Sequence, residues 1–178
     1  MPQALLISVD EYLRTSYRPD CDFIDGEVQE RFLGERDHST LQLALGVVFH
    51  RNRDAWKVVP LPEQRVQVTD TRFRVPDLCI VRTGDPHDQI VRVAPLLCIE
   101  ILSPEDTLSR LQTRVDDYVA LGVEHIWVID PSTRHIYTAG PLGFIKVRSG
   151  ALEVPGTPIR VSFAELFADL DEDQGLSR

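Results

Sequence analysis

Two carboxylates stand inside runs that are otherwise apolar. Asp77 opens DLCIVR, and Glu100 lies near the end of PLLCIEIL. Both runs are short and aliphatic, the pattern of strands covered on both faces. Side chains alternate along a strand. Asp77 therefore shares a face with Cys79 and Val81, and Glu100 shares one with Leu96, Cys98 and Leu102. If the two strands lie side by side, both acids converge at the sheet surface. A hard divalent ion such as Mg²⁺ takes one or two carboxylates and fills its other positions with water and phosphate oxygens. Such an ion polarises a phosphoryl group and generates hydroxide from water. Two exposed acids at strand ends, making surface ion pairs, would show the same spacing. On spacing alone both readings stay open.

The elements that must position these acids are legible on either side. Over residues 106–121, Leu108, Leu111, Val115, Tyr118 and Val119 fall on one face at helical spacing. Ser103, Pro104 and Asp106 mark the start, and Gly122 stands where a glycine ends a helix. HIWVID then reads as a third apolar strand, ended by Pro131 and paired with residues 134–138 as a hairpin. Upstream, residues 8–16 form a short helix with Ser8 and Glu11 at capping-box spacing. CDFIDGEVQ reads as a strand broken or bulged at Asp25-Gly26. Residues 38–51, apolar at Leu41, Leu45 and Val48, read as a buried helix with Asp37 as N-cap. Residues 56–68 are extended but interrupted by Pro60 and Pro62. Residues 144–147 and 159–161 read as edge strands, and Ser162 caps a last helix, FAELFADL. Residues 170–178 are expected to be a frayed acidic tail. The expected fold is α/β, a mixed central sheet flanked by helices, as one domain over residues 1–178.

Composition narrows the function classes. The length of 178 residues suits one domain. No apolar run approaches the roughly 20 residues of a membrane helix, so no membrane partner is expected. MPQALLISVDEYL has no basic region ahead of its apolar residues, which argues against a secretory signal. Cys21, Cys79 and Cys98 show no CxxC spacing, and two of them sit in apolar runs. Reduced, buried thiols in a cytoplasmic protein are expected. Without His or Cys partners at ligand spacing, Cys79 and Cys98 do not read as a thiolate metal site. The net charge of −9 argues against tight non-specific nucleic-acid binding. All but two of the 19 basic residues, Lys57 and Lys146, are arginine. Arginine suits clamping of phosphate or carboxylate, though a GC-rich genome produces the same bias.

One ordered set of residues carries a resemblance. Pro76-Asp77, Glu100, Ser103-Pro104, Tyr118, Gly122-Val123 and the run WVIDP at residues 127–131 resemble the PD-(D/E)XK restriction-endonuclease-like superfamily. Within it the chain is similar to the Uma family, classed with the restriction endonucleases. VDEYL, FIDGE and a helix opened by His38 extend the likeness over about residues 8–140. The resemblance implies a restriction-endonuclease-like core in the order helix, three strands, helix, strand. It implies a Mg²⁺-dependent endonuclease, Mn²⁺ being a possible substitute, that hydrolyses phosphodiester bonds in DNA. Asp77 and Glu100 become metal ligands, with the Ile101 carbonyl a third. The resemblance puts an acid at the position of Asp22, an accessory residue. Glu27 would face the other way in an unbroken strand. His38 is an active-site residue in one reading and a capping or packing residue in the other. A homodimer is implied because similar enzymes often cut duplexes in pairs.

The lysine of that superfamily is missing. Its E-x-K spacing falls on Leu102, and no lysine occurs between Arg72 and Tyr118. In proteins similar to this family the lysine lies on the following helix, four residues before the tyrosine, which is Arg114. Arginine binds phosphate but holds its proton, so it is a poor general base. Gln112 is a second candidate, because a helical wheel sets it nearer the centre of the apolar face, where its amide could orient a water. Two functions follow from these residues. One is the active endonuclease. The other is a catalytically weakened or inactive module that binds protein or nucleic acid, which the missing lysine and the acidic charge favour. A salt bridge from Arg114 across the acids would favour the module.

Overall fold

The computed structural model describes residues 6–31 and 35–176. Helix α1 (Val9–Arg14) starts at Ser8, whose Oγ accepts from the Glu11 amide at 3.1 Å. β1 (Cys21–Ile24) and β2 (Glu27–Glu30) form a hairpin rather than a bulged strand. Asp25 and Gly26, with φ of 51° and 102°, make the two-residue turn, the positive pair that a type I′ hairpin needs. Helix α2 (Arg36–Trp56) runs further than expected at both ends. Its N-cap is Glu35, not Asp37, and makes no side-chain cap bond. Asp37 lies instead in the first turn, where an acid complements the helix dipole.

β3 (Val58–Pro62), β4 (Val66–Thr69), β5 (Arg72–Arg74), β6 (Leu78–Arg82) and β7 (Leu97–Ile101) follow. Then come α3 (Leu108–Leu121), β8 (His125–Asp130), β9 (His135–Gly140) and β10 (Gly143–Lys146). β11 (Ala151–Glu153), β12 (Arg160–Ser162) and α4 (Phe163–Asp173) complete the chain. The central sheet is mixed, in the order β10-β9-β8-β7-β6-β3. Among the described residues of this sheet β7 and β8 are the one parallel pair, and α3 is the crossover that a parallel pair requires. α2, β3, β6, β7, α3 and β8 thus reproduce the expected core order. Pro60 and Pro62 fall on the edge strand β3, where a missing N–H is tolerated. A second sheet, β2-β1-β5-β4, packs beside the first. β12 pairs with β11 in a small sheet of its own, not at the edge of the large one. Among the described residues no helix is long and apolar enough to cross a membrane.

The two faces of the central sheet have different partners. Leu78, Ile80, Leu97, Ile99 and Trp127 pack with Leu41, Leu45 and Phe49 of α2 and Leu166 and Phe167 of α4. On the other face, Cys79 and Cys98 pack with Val115 and Tyr118 of α3 and Val66 and Val68 of β4. Cys79 and Cys98 are direct cross-strand partners, and both are free thiols. Tyr12, Phe23 and Phe73 form a separate cluster under α1.

α3 begins two residues later than its apolar pattern implies. Thr107 caps it, accepting from the Arg110 amide at 3.3 Å, and Leu108 is 71% exposed. Asp106 is not free to cap, because one oxygen accepts from the Ser103 amide and the other from Arg114. Ser162 caps α4 as expected. The segment from residue 170, expected to fray, continues that helix to Asp173, because Leu170 is buried and Asp171 binds Arg134. Residues 177 and 178 lie outside the described residues.

Gly122 closes α3 with φ of 99°, its amide reaching the carbonyls of Tyr118 and Val119. Gly122→Ala should cost about 1–2 kcal/mol, since an L side chain is strained there. A lowered urea midpoint checks this.

Candidate active site

β6 and β7 pair with Leu78 opposite Ile99 and Cys79 opposite Cys98. Carrying that register one residue further sets Asp77 opposite Glu100. Both are buried, at 2% and 1% exposure, on the face covered by α3. They are not exposed strand-end acids.

Each acid has its own shell of donors. Asp77 Oδ2 accepts from the Ile101 amide at 2.7 Å, which ties it to β7. Its Oδ1 meets a guanidinium nitrogen of Arg31, and His38 Nε2 lies 3.2 Å away. His38 and Gln42 stand one turn apart on α2, and Gln42 Nε2 donates to the Asp77 carbonyl at 2.9 Å. One helix face thus fixes both the side chain and the backbone of Asp77. Glu100 Oε1 accepts from the Tyr118 hydroxyl at 2.5 Å, and Oε2 accepts from Arg114 Nη1 at 2.9 Å. Arg114 also donates to Asp106 Oδ1 at 3.0 Å. It does not bridge the two acids.

The electrostatics separate the pair. Burial works against the charge of Asp77, but the His38 bond and the Arg31 charge outweigh it and hold the carboxyl below its ordinary value. Burial pushes Glu100 the other way, up to about 7. Arg114 resists that rise, and the nearby charge of Asp77 adds to it. Burial also opposes a charge on His38, yet the Asp77 contact wins and raises its pKa. Nδ1 of His38 is buried without a partner among the described residues. Burial, then the Glu100 charge, raises the Tyr118 hydroxyl, so it remains a donor.

Asp22 stands one step out. It accepts from Arg74 Nη1 at 2.8 Å and from the Val75 amide at 2.9 Å, and Arg114 Nε lies 4.0 Å away. Arg74, 3% exposed, also donates to Asp117 of α3 at 2.7 Å. This buried chain links the second sheet, through β1 and β5, to the helix that carries Arg114.

Two sequence candidates lie elsewhere. Gln112 donates to Asp116 at 2.8 Å and turns away from the acids. The buried face of α3 runs through Leu111, Arg114, Val115, Asp117 and Tyr118, because buried charge partners recruit Arg114 and Asp117 to it. A wheel that scores only apolar residues misses this. Glu27 is exposed at the turn end of the hairpin, opposite Ile24. The turn resets the alternation, so Glu27 shares the face of Asp22 but lies too far along it. Arg31 was not among the candidates. Asp22 pairs with Gln29, and Arg31 is two residues beyond Gln29 on the same face. The Asp-Gly turn alone carries that signal. Asp106, expected only as part of the helix start, holds Arg114, and Tyr118, on the apolar face of α3, reaches a polar partner in Glu100.

Among the described residues no three His, Cys, Asp or Glu side chains gather as a metal-binding group. The two carboxylates nonetheless suit a hard cation that keeps several waters. Cys79 and Cys98, on the same face, lie deeper in the apolar cluster.

Residues 9–141 match the family model Uma2, described as "Putative restriction endonuclease". The chain is also similar to a solved structure from Anabaena variabilis ATCC 29413, a "putative nuclease belonging to DUF820". Identity is 20%, the TM-score is 0.78, and the match covers 91% of this chain and 98% of that one. This likeness is one of fold. No curated protein matches the chain.

Because the folded-state value of Glu100 lies above the ordinary one, its protonated form stabilises the fold. That contribution is complete below the unfolded value near 4.5 and is lost as pH rises through about 7. In EDTA, wild type should therefore lose stability relative to Glu100→Gln between about pH 5 and about pH 8, by roughly 3 kcal/mol at most. Urea titrations of both proteins across that range measure it.

Proposed function

From the premise that the chain belongs to the Uma2 family, whose model matches residues 9–141, we propose that it hydrolyses phosphodiester bonds of DNA in a reaction dependent on a divalent cation. One observation carries the proposal. Asp77 and Glu100 are buried opposite each other on adjacent strands, and the charge of one helps to raise the pKa of the other. Such a pair gains from a shared cation. Asp77 and Glu100, with the Ile101 carbonyl, would hold Mg²⁺ or Mn²⁺. Bound there, the ion would polarise the scissile phosphoryl group and make its water a better nucleophile.

The remaining groups act through position and charge. Tyr118 holds Glu100 in one rotamer through Oε1. His38 and the Ile101 amide orient Asp77 from opposite sides. Arg114, fixed between Glu100 and Asp106, brings a permanent positive charge to the recess it shares with Ser103 and Ile101. It keeps its proton at every working pH, so it steadies an anionic phosphate and does not serve as a base. Asp22, through Arg74 and Asp117, supports the helix that presents Arg114. Two copies acting on the two strands of a duplex are part of the proposal.

A second reading has its own support. Each acid already has an arginine partner, and Arg114 is tied to Glu100 and Asp106. That arrangement suits a weakened or inactive module that keeps the fold and binds nucleic acid or protein.

Plasmid nicking with Mn²⁺ separates the two. Wild type should nick, and Asp77→Ala should be slower by roughly 100-fold or more. Equal residual activity in both would sink the nuclease reading. Arg114→Lys, which supplies an amine able to lose its proton, should nick faster than wild type.

A further inference from the structure

The Asp77 oxygen that faces the recess already carries a cation, and the chain itself supplies it. Oδ2 is committed to the Ile101 amide at 2.7 Å, which leaves Oδ1 on the open side. Oδ1 is where Arg31 arrives, its side chain only 12% exposed, with His38 Nε2 on the same oxygen at 3.2 Å. Among the described residues Asp77 is the one acid within ion-pair distance of Arg31. Arg114 is held differently. Its two terminal nitrogens bond Glu100 and Asp106 at 2.9 and 3.0 Å, and Asp106 is itself fixed by the Ser103 amide. Arg114 is pinned at both ends, whereas among the described residues Arg31 has one ion-paired carboxylate.

We infer that Arg31 is an internal competitor for the divalent cation, holding the Asp77 oxygen that the ion would take and yielding it when a phosphodiester offers the guanidinium another anion. The inference rests on the metal-dependent reading above. A guanidinium and a divalent ion repel each other at such range, most strongly where water is scarce. A buried guanidinium that loses its ion-paired carboxylate keeps only the more distant charges of Glu100 and Asp22, a poor exchange away from water. A phosphodiester relieves this, because its oxygens match the two-pronged donor face of arginine. Metal and substrate then favour each other. Because binding free energies are reciprocal, each tightens the other by the same factor. Arg31 would thereby make a weak metal site in the free protein and a stronger one beside DNA.

The test is calorimetric titration of the full chain with Mn²⁺, with and without dimethyl phosphate as the diester probe. Wild type should bind Mn²⁺ weakly alone and more tightly with the probe. Arg31→Gln should bind Mn²⁺ about 10-fold more tightly alone and gain less from the probe than wild type does. Arg31→Lys, which keeps a cation in place, should stay near wild type. Thermal midpoints in EDTA establish that each variant is folded. If Arg31→Gln binds no more tightly than wild type while Asp77→Asn abolishes binding, the competition is refuted and the metal site stands. Arg31→Lys binding as tightly as Arg31→Gln also refutes it. Failure of both wild type and Arg31→Gln to bind Mn²⁺ removes the metal reading together with the inference.

Discussion

The antiparallel pairing of β6 with β7 is the constraint that the surrounding structure answers. It sets two carboxylates opposite each other under α3, where water cannot screen them. Unpaired, two such charges would be expensive to bury. The fold responds with donors from four directions: α2 through His38, the segment after β2 through Arg31, β7 through the Ile101 amide, and α3 through Arg114 and Tyr118. The placement of both flanking helices follows from this. α2 must run beside the start of β6, and α3 beside the end of β7. The crossover between parallel β7 and β8 brings α3 there.

The two acids occupy unequal surroundings despite being neighbours. Asp77 precedes its strand and meets groups from outside the sheet, so cations and an amide outweigh its burial. Glu100 lies within β7, one alternation from Cys98, and burial dominates. One carboxylate is held charged and the other near the point of protonation. That difference is a common basis for dividing roles between paired acids. Beyond them, Arg74 uses Asp22 and Asp117 to join β1, β5 and α3. Arginine suits this work because its planar fork serves two acids at once.

What could be read in advance depended on how local the signal was. α3 was legible because its apolar spacing and Gly122 lie within one stretch, and the tyrosine register led directly to Arg114. The central strands were legible as aliphatic runs. β5 was not, because Arg-Phe-Arg does not look like a buried strand until Asp22 and Asp117 are beside it. Gln112 was misplaced for the same reason, since a buried polar face is invisible to an apolar wheel. Arg31 depended on a hairpin register across residues 21–30. Glu27 shows the converse: a correct idea about alternation fails once a two-residue turn resets it.

The cysteine pair beneath the acids has a different consequence. Cys79 and Cys98 face each other across the same two strands, fully buried, and burial with its neighbour close by pushes the Cys98 thiol well up. A thiol that is both protonated and enclosed does not react with alkylating reagents. It becomes reactive only when β6 and β7 part. The rate of its labelling therefore reports how often this sheet opens, and the same opening would dissolve the register that keeps Asp77 opposite Glu100. The chain carries, two residue pairs along from its candidate site, a chemical record of that site's integrity.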